Sequence, residues 1–257
     1  MTVSPLGISL LVFACVFGAA LLGFALRGVV PQRHLSGDSR DVVQWIMGLT
    51  STMVALVLAL LIASAKTSHD MQSNEVTQMA ADFVLLDRIM TRYGPETREA
   101  RALIPAAVAS VLSQTWMGES YRSENLERAI QASAEGFDEK IRQLEPHTDF
   151  QRALYAQAAQ VSLELSRNRS LLQEQTGGSI PMPFLIVLVF WLALIFTSFG
   201  LYAPLNPTVL GALLACAISA SSAVFLVVEL DRPFQGPIKI SSLPLRNALT
   251  HLRPLDN

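Results

Sequence analysis

Four long stretches of this chain carry no ionisable side chain at all. No Asp, Glu, Lys, Arg or His occurs in Leu6–Leu26, Val42–Ala65, Ile180–Ala203 or Leu205–Val228. Proton relays and ion-coupled transporters place ionisable groups near mid-membrane, so this lack argues against both. It does not argue against a passive channel, whose pore can be apolar or hydroxyl-lined. Cysteine is also scarce. Cys15 and Cys216 each lie inside an apolar run without ligand spacing, and they read as packing residues rather than a disulfide or metal pair. His34, His69, His147 and His251 are scattered, with no nucleophile or metal spacing around them. Nothing therefore marks an enzyme, a cofactor or a metal site. Residues 66–179 hold 12 Lys/Arg against 16 Asp/Glu, and this acidic balance argues against nucleic acid as a partner. The segment after Val228 holds only four basic residues, too sparse for a polybasic lipid site.

What is present is length and apolarity. Each charge-free run exceeds the ~18 residues needed to cross a hydrocarbon core about 30 Å thick. The chain reads as an all-α integral membrane protein with four transmembrane helices and a helical domain inserted between the second and third. The expected division is residues 1–65 for the first helix pair, 66–179 for the domain, 180–230 for the second hairpin and 231–257 for the tail. The first run lacks a basic n-region and is too long for a signal h-region, so it reads as a retained span. Lys66, Arg167, Arg169, Arg232, Lys239 and Arg246 flank the domain-and-tail side; Arg27, Arg33 and Arg40 flank the other. This excess places the domain and tail in the cytoplasm. Trp45 and Tyr202 fall at one interface, as an aromatic belt requires. Pro204 and Pro207 close the last two spans into a tight hairpin.

Helices in lipid associate through small residues. Gly211, Ala215, Ser219 and Ala223 form one such stripe. Ala55, Ala59 and Ala63 form another, approached by Gly48, Ser51 and Thr52. Each stripe serves bundle packing within the chain, or else a subunit interface or pore lining. Thr50, Ser51, Thr52 and Ser64 are candidate pore hydroxyls, or bond their own helix's carbonyls.

The domain reads as helices throughout. Apolar residues recur every three to four positions at Val76, Met79, Phe83, Leu86 and Met90. The same spacing links Leu126, Ile130, Ser133, Phe137, Ile141 and Leu144, and then Leu154, Ala158, Val161, Leu165, Asn168 and Leu172. Gly94-Pro95, Gly118 and Pro146 punctuate these stripes. Ala65 to Tyr93 contains no Gly or Pro, so the second span and the first domain helix read as one rod of about 50 residues. Along that rod Glu75, Asp82, Asp87 and Arg88 are a solvated face with local pairs, the wall of a charged vestibule, or acidic groups that pair with the basic tail. Beyond the fourth span, Glu229 and Asp231 mark the exit, and Pro233, Phe234 and Gly236 leave the helix sharply. Phe234 could dock back on the bundle, and Ile238–Ser242 could run extended or add a strand.

Two segments carry a resemblance. Leu-Ile-Ala-Ser-Ala-Lys-Thr-Ser-His-Asp from Leu61 to Asp70, and Leu-Asp-Arg-Pro-Phe-Gln-Gly-Pro-Ile-Lys-Ile-Ser from Leu230 to Ser241, resemble the bacterial bestrophin-like membrane family, itself similar to bestrophin anion channels. The resemblance spans about Val42 to Ser241, and Asp231, Pro233, Phe234 and Gly236 are its most specific part. It implies a homo-oligomeric, anion-preferring channel, pentameric by analogy, passing inorganic ions. Its second span would line the pore with Thr50, Met53, Val57, Leu60, Leu61 and Ser64. Val57, Leu60 and Leu61 would form the constriction. Glu75, Asp82, Asp87, Arg88, Glu229 and Asp231 would supply vestibule or exit charges. Bestrophins carry pore aromatics and a calcium-binding acidic cluster. Met53–Ile62 has no aromatic, and Glu229 with Asp231 is too small a set for six to eight oxygen ligands. The alternative reading is a non-conducting membrane scaffold whose apolar stripes recruit a cytoplasmic protein. A motor-stator-like assembly shares the span order but needs a mid-membrane carboxylate.

Overall fold

The structure, a computed structural model, describes residues 4–29, 37–116, 136–137, 139–174 and 182–252. Every regular element among them is helical, and four helices are long and apolar enough to cross a membrane. The expected Leu126, Ile130, Ser133 and Gly118 lie outside the described residues, as does the expected boundary between domain and third span.

The chain divides into two units. The first comprises Met1–Ser68 and Gly178–Arg232; the second comprises His69–Gly177 and Pro233–Asn257. The tail thus belongs to the same unit as the inserted domain.

In the first unit, α1 (Pro5–Arg27) starts where Ser4 Oγ accepts the Gly7 N–H at 3.1 Å, with Pro5 at the first helical position. α2 (Gly37–Tyr93) begins here. α5 (Met182–Tyr202) and α6 (Pro207–Leu230) form the hairpin that the two prolines require. Asn206 Oδ1 caps α6 by accepting the Val209 N–H at 2.8 Å. α1 packs on both α5 and α6. Val12, Val16, Ala20, Leu188, Ile195, Ala217 and Val224 are the buried centre of this bundle. The α1–α5 crossing is made by glycine. A Cβ on Gly23 would strike the carbonyl oxygen of Thr197, and one on Gly200 would strike that of Ala20. Backbone therefore touches backbone, the close approach that lipid-embedded helices use for association. Arg27 then donates to the Ala203 carbonyl at 2.6 Å, tying the end of α1 to the hairpin turn. The stripe Gly211, Ala215 and Ser219 is exposed on α6; Leu213, Ala217, Ser221 and Val224 face inward instead.

In the second unit, the remainder of α2 is followed by a single 3-10 turn, Pro95–Thr97, and α3 (Arg98–Trp116). Gly94 takes a φ of 140°, which only glycine adopts readily, and breaks the rod where Gly94-Pro95 predicts. Thr97 Oγ1 donates to the Met90 carbonyl at 2.7 Å, satisfying one orphan acceptor at the helix end. α4 (Asp149–Glu174) opens with a capping box. Thr148 Oγ1 accepts the Gln151 N–H at 3.1 Å, while Gln151 Oε1 accepts from the Thr148 N–H at 3.3 Å and, at 2.9 Å, from that of His147. α7 (Leu243–Leu252) closes the unit against α3. Val76, Met79, Phe83, Leu86, Ile104, Val108, Phe137, Ile141, Leu154, Ala158 and Leu165 share one core.

Candidate functional site

α2 carries most of the residues of interest, and its span is the least covered by its own chain. Of the most apolar window of each span, 6% of α2 is buried, against 22% in α1, 33% in α5 and 28% in α6. The uncovered residues fall on one side. Val54 and Ala65 are buried, and Val57, Leu58 and Leu61 lean on the same membrane core. Leu49, Met53, Leu56, Leu60, Ala63 and Ser64 are exposed. The six residues expected along a pore are therefore divided. Met53, Leu60 and Ser64 lie on the open face, whereas Thr50, Val57 and Leu61 are half-buried towards the chain's own bundle. Thr50 Oγ1 donates to the Ile46 carbonyl at 2.9 Å and Thr52 Oγ1 to that of Leu49 at 2.7 Å. Both hydroxyls are spent on their own helix. Ala55, Ala59 and Ala63 are exposed as well, so this small-residue stripe does not pack within the chain.

The charges along the second part of α2 are also divided. Asp82 is buried (4% exposed) with Met79, Phe83 and Leu86. Its Oδ1 accepts from Gln78 Nε2 at 2.9 Å, while Oδ2 is buried with no hydrogen-bond partner. Desolvation pushes its pKa up; the Gln78 bond pulls it back, and repulsion from Glu164 adds to the rise. Asp87 accepts Arg101 Nε at 2.8 Å and pins α2 to α3. Arg88 and Arg92 are exposed, and no ion pair joins either to another described residue. Glu75 is half-buried, with Oε2 unpartnered. His69 and Gln72, which sequence reasoning passed over, precede it at three-residue spacing. Both His69 ring nitrogens and Gln72 Oε1 are likewise buried without hydrogen-bond partners, although Asp70 Oδ1 lies 3.8 Å from His69 Nδ1. Their spacing on the apolar face of the helix was the signal that could have found them.

The expected exit motif splits by role. Glu229 is buried (1% exposed) in the last turn of α6, and Asp231 caps that helix through its N–H to the Val227 carbonyl at 3.2 Å. Pro233 and Phe234 are buried. Phe234 docks edge-on against Trp116, with ring centroids 5.3 Å apart. Trp116 Nε1 donates to the Ile240 carbonyl at 2.8 Å, and the Ile240 N–H donates back to the Pro233 carbonyl at 2.6 Å. Gly236 turns the chain at φ 80°, where a side chain would be strained. Residues 238–242 run without a strand. This motif is the stitch that holds the tail to α3.

Among the described residues, no three His, Cys, Asp or Glu side chains converge as a metal-binding group. Among the described residues of the apolar stripes, Phe137, Ile141, Leu154, Ala158, Val161, Leu165 and Leu172 are buried.

Four helices long and apolar enough to cross a membrane mark an integral membrane protein. The Bestrophin-like domain model matches residues 14–245, and the chain belongs to that family. The fold is also that of solved structures of a bacterial bestrophin homolog from Klebsiella pneumoniae. One matches with a TM-score of 0.70 at 14% identity, covering 97% of this chain and 95% of that one. Another, solved by Zn-SAD phasing, has a TM-score of 0.65 at 14% identity and covers 93% and 94%. At this identity the likeness carries the fold. No curated protein matches the sequence.

Proposed function

We propose that the chain assembles around a central axis as a homo-oligomeric, anion-preferring channel in which the open face of α2 lines the path. The observation that carries this reading is the uncovered span. α1 is packed by both α5 and α6, while α2 leaves Leu49, Met53, Leu56 and Leu60 exposed. Lipid could cover that face, but the adjoining Ala55, Ala59 and Ala63 suit close helix approach between subunits better than acyl chains. The exposed Gly211, Ala215 and Ser219 of α6 offer a second surface of the same kind. The constriction then moves to Met53, Leu56 and Leu60, with Val57 and Leu61 as its backing. An apolar ring of this type gates by dewetting. Arg88 and Arg92 on the exposed side of α2 supply a positive approach that favours anions. Five subunits, and a domain and tail facing the cytoplasm, complete the reading.

Purified protein reconstituted in liposomes tests it. Halide efflux is expected, and Leu60→Ser raises it several-fold by wetting the ring. Val57→Ser changes flux less and lowers thermal stability. Charge reversal at Arg88 and Arg92 shifts the reversal potential towards cations. Absence of any halide or monovalent-cation flux, or a monomer by native mass spectrometry, removes the channel.

A further inference from the structure

Among the described residues, no carboxylate forms an ion pair with Arg169 on α4, which is half-buried. Its one hydrogen bond to a described residue is from Nη2 to Gln114 Oε1 at 3.2 Å. A guanidinium offers five N–H donors, so most of this one's capacity is unspent. Burial holds its pKa below the usual guanidinium value, and no carboxylate of a described residue acts in the other direction. A desolvated cation in that state costs free energy that a bound anion would recover.

Arg169 stands on the wall of a cavity of about 80 Å³. The rest of that wall is mainly apolar: Met79 and Phe83 from α2, Ala107 and Val111 from α3, Phe137, and Leu165 from α4. Ser162 and Ser166 line it beside Arg169. Those three polar residues stand at i, i+4 and i+7, hence on one stripe of α4. Ser166 is exposed, so the polar edge of the cavity reaches the surface while the apolar part lies inside. A head that is anionic and planar suits the guanidinium fork, which matches carboxylate geometry. The apolar wall asks for a short hydrocarbon tail. A dry cavity of ~150 Å³ holds one benzene ring, so this smaller one takes a chain of roughly four carbons.

We propose that the helical domain binds a short-chain monocarboxylate, its carboxylate on Arg169 beside Ser166 and its tail among Met79, Phe83, Val111 and Leu165. Such a ligand joins α2, α3 and α4 at a single point, and it would stabilise their packing by mass action.

The test is a calorimetric titration of butyrate into full-length protein in detergent, with n-butanol and chloride as probes of the two halves. Butyrate is expected to bind at one site per chain and to raise the melting temperature. Butanol lacks the charge and chloride lacks the tail, so each binds at least about tenfold more weakly. Arg169→Gln weakens butyrate by about tenfold or more, because a charge-assisted pair is lost. Ala107→Leu places an isobutyl group in the cavity and removes binding while Arg169 remains. That second variant decides the matter if the first fails to fold. The proposal is overturned by the absence of heat and thermal shift, by butanol or chloride matching butyrate, or by both variants binding butyrate as the parent does. The readout needs no conductance: butyrate binding in a protein that passes no ions leaves this inference standing, and flux without binding removes it alone.

Discussion

The two units solve the same packing problem with opposite materials. The membrane unit joins α1 to α5 through Gly23 and Gly200, with backbone against backbone. The helical domain joins α2, α3 and α4 through Met79, Phe83, Leu86, Ile104 and Leu165, all large and all buried. The contrast follows from the solvent. Water drives large apolar side chains together at roughly 25 cal/mol per Å², so the domain gains by bulk. Lipid tails are as apolar as leucine, and bulk gains nothing there. Proximity of backbones, and the dispersion it brings, is what remains.

Substitution breaks the two arrangements differently. Gly200→Leu has the largest expected effect. Its side chain meets the Ala20 carbonyl rather than a movable side chain, so α1 and α5 must part. A loss of at least ~3 kcal/mol is expected, read as lost monodisperse protein on size exclusion and a collapsed thermal transition. A leucine tolerated there would mean that glycine proximity does not hold the membrane unit together. In the domain, Phe234→Ala removes a buried ring and frees the tail from Trp116. About 3 kcal/mol is expected, with faster protease cleavage near residues 235–240 and the spans unaffected. A protease-resistant tail in that variant would mean that Pro233 and Ile240 suffice for the stitch.

The smallest effect sharpens the comparison by reversing its sign. Asp82 is a charge kept inside the water-driven core, with its pKa raised by burial. The folded state therefore binds a proton more readily than the unfolded state does. Its penalty is present in full above the raised folded value and is relieved as pH falls through that value towards the ordinary carboxylate range. Asp82→Asn keeps an acceptor for Gln78 and removes the charge. It should raise stability near neutral pH, by about 1 kcal/mol, and flatten the rise seen on mild acidification. Equal melting curves for both proteins between pH 7 and pH 5 would show that Asp82 is not penalised.

The same contrast explains what could be read from the sequence. The spans, the unbroken α2 and the break at Gly94-Pro95 were legible because hydropathy and breakers act locally. The domain stripes were legible because water enforces a period of three to four. Faces in the membrane were not. Gly211, Ala215 and Ser219 read as well as packing residues as Gly23 and Gly200 do, since lipid imposes no polarity that marks the inward side. Helix α7 went unread, although Ser242 and Pro244 stand where a helix start prefers them. Ile238–Ser242 had drawn the eye as an extended run. Arg169 was legible only as a flanking charge, because its place on a cavity wall is a fact of three helices together.

The glycine crossing has one further consequence, for the bilayer. Helices in backbone contact, with Arg27 fastened to the Ala203 carbonyl, have no freedom to slide along one another. Hydrophobic mismatch is usually absorbed by individual helices adjusting their tilt. Here α1 and α5 must adjust together. A membrane thicker or thinner than their shared apolar length therefore has to deform its lipids or lean the pair as a block, which makes acyl-chain length a variable that the protein resists rather than follows.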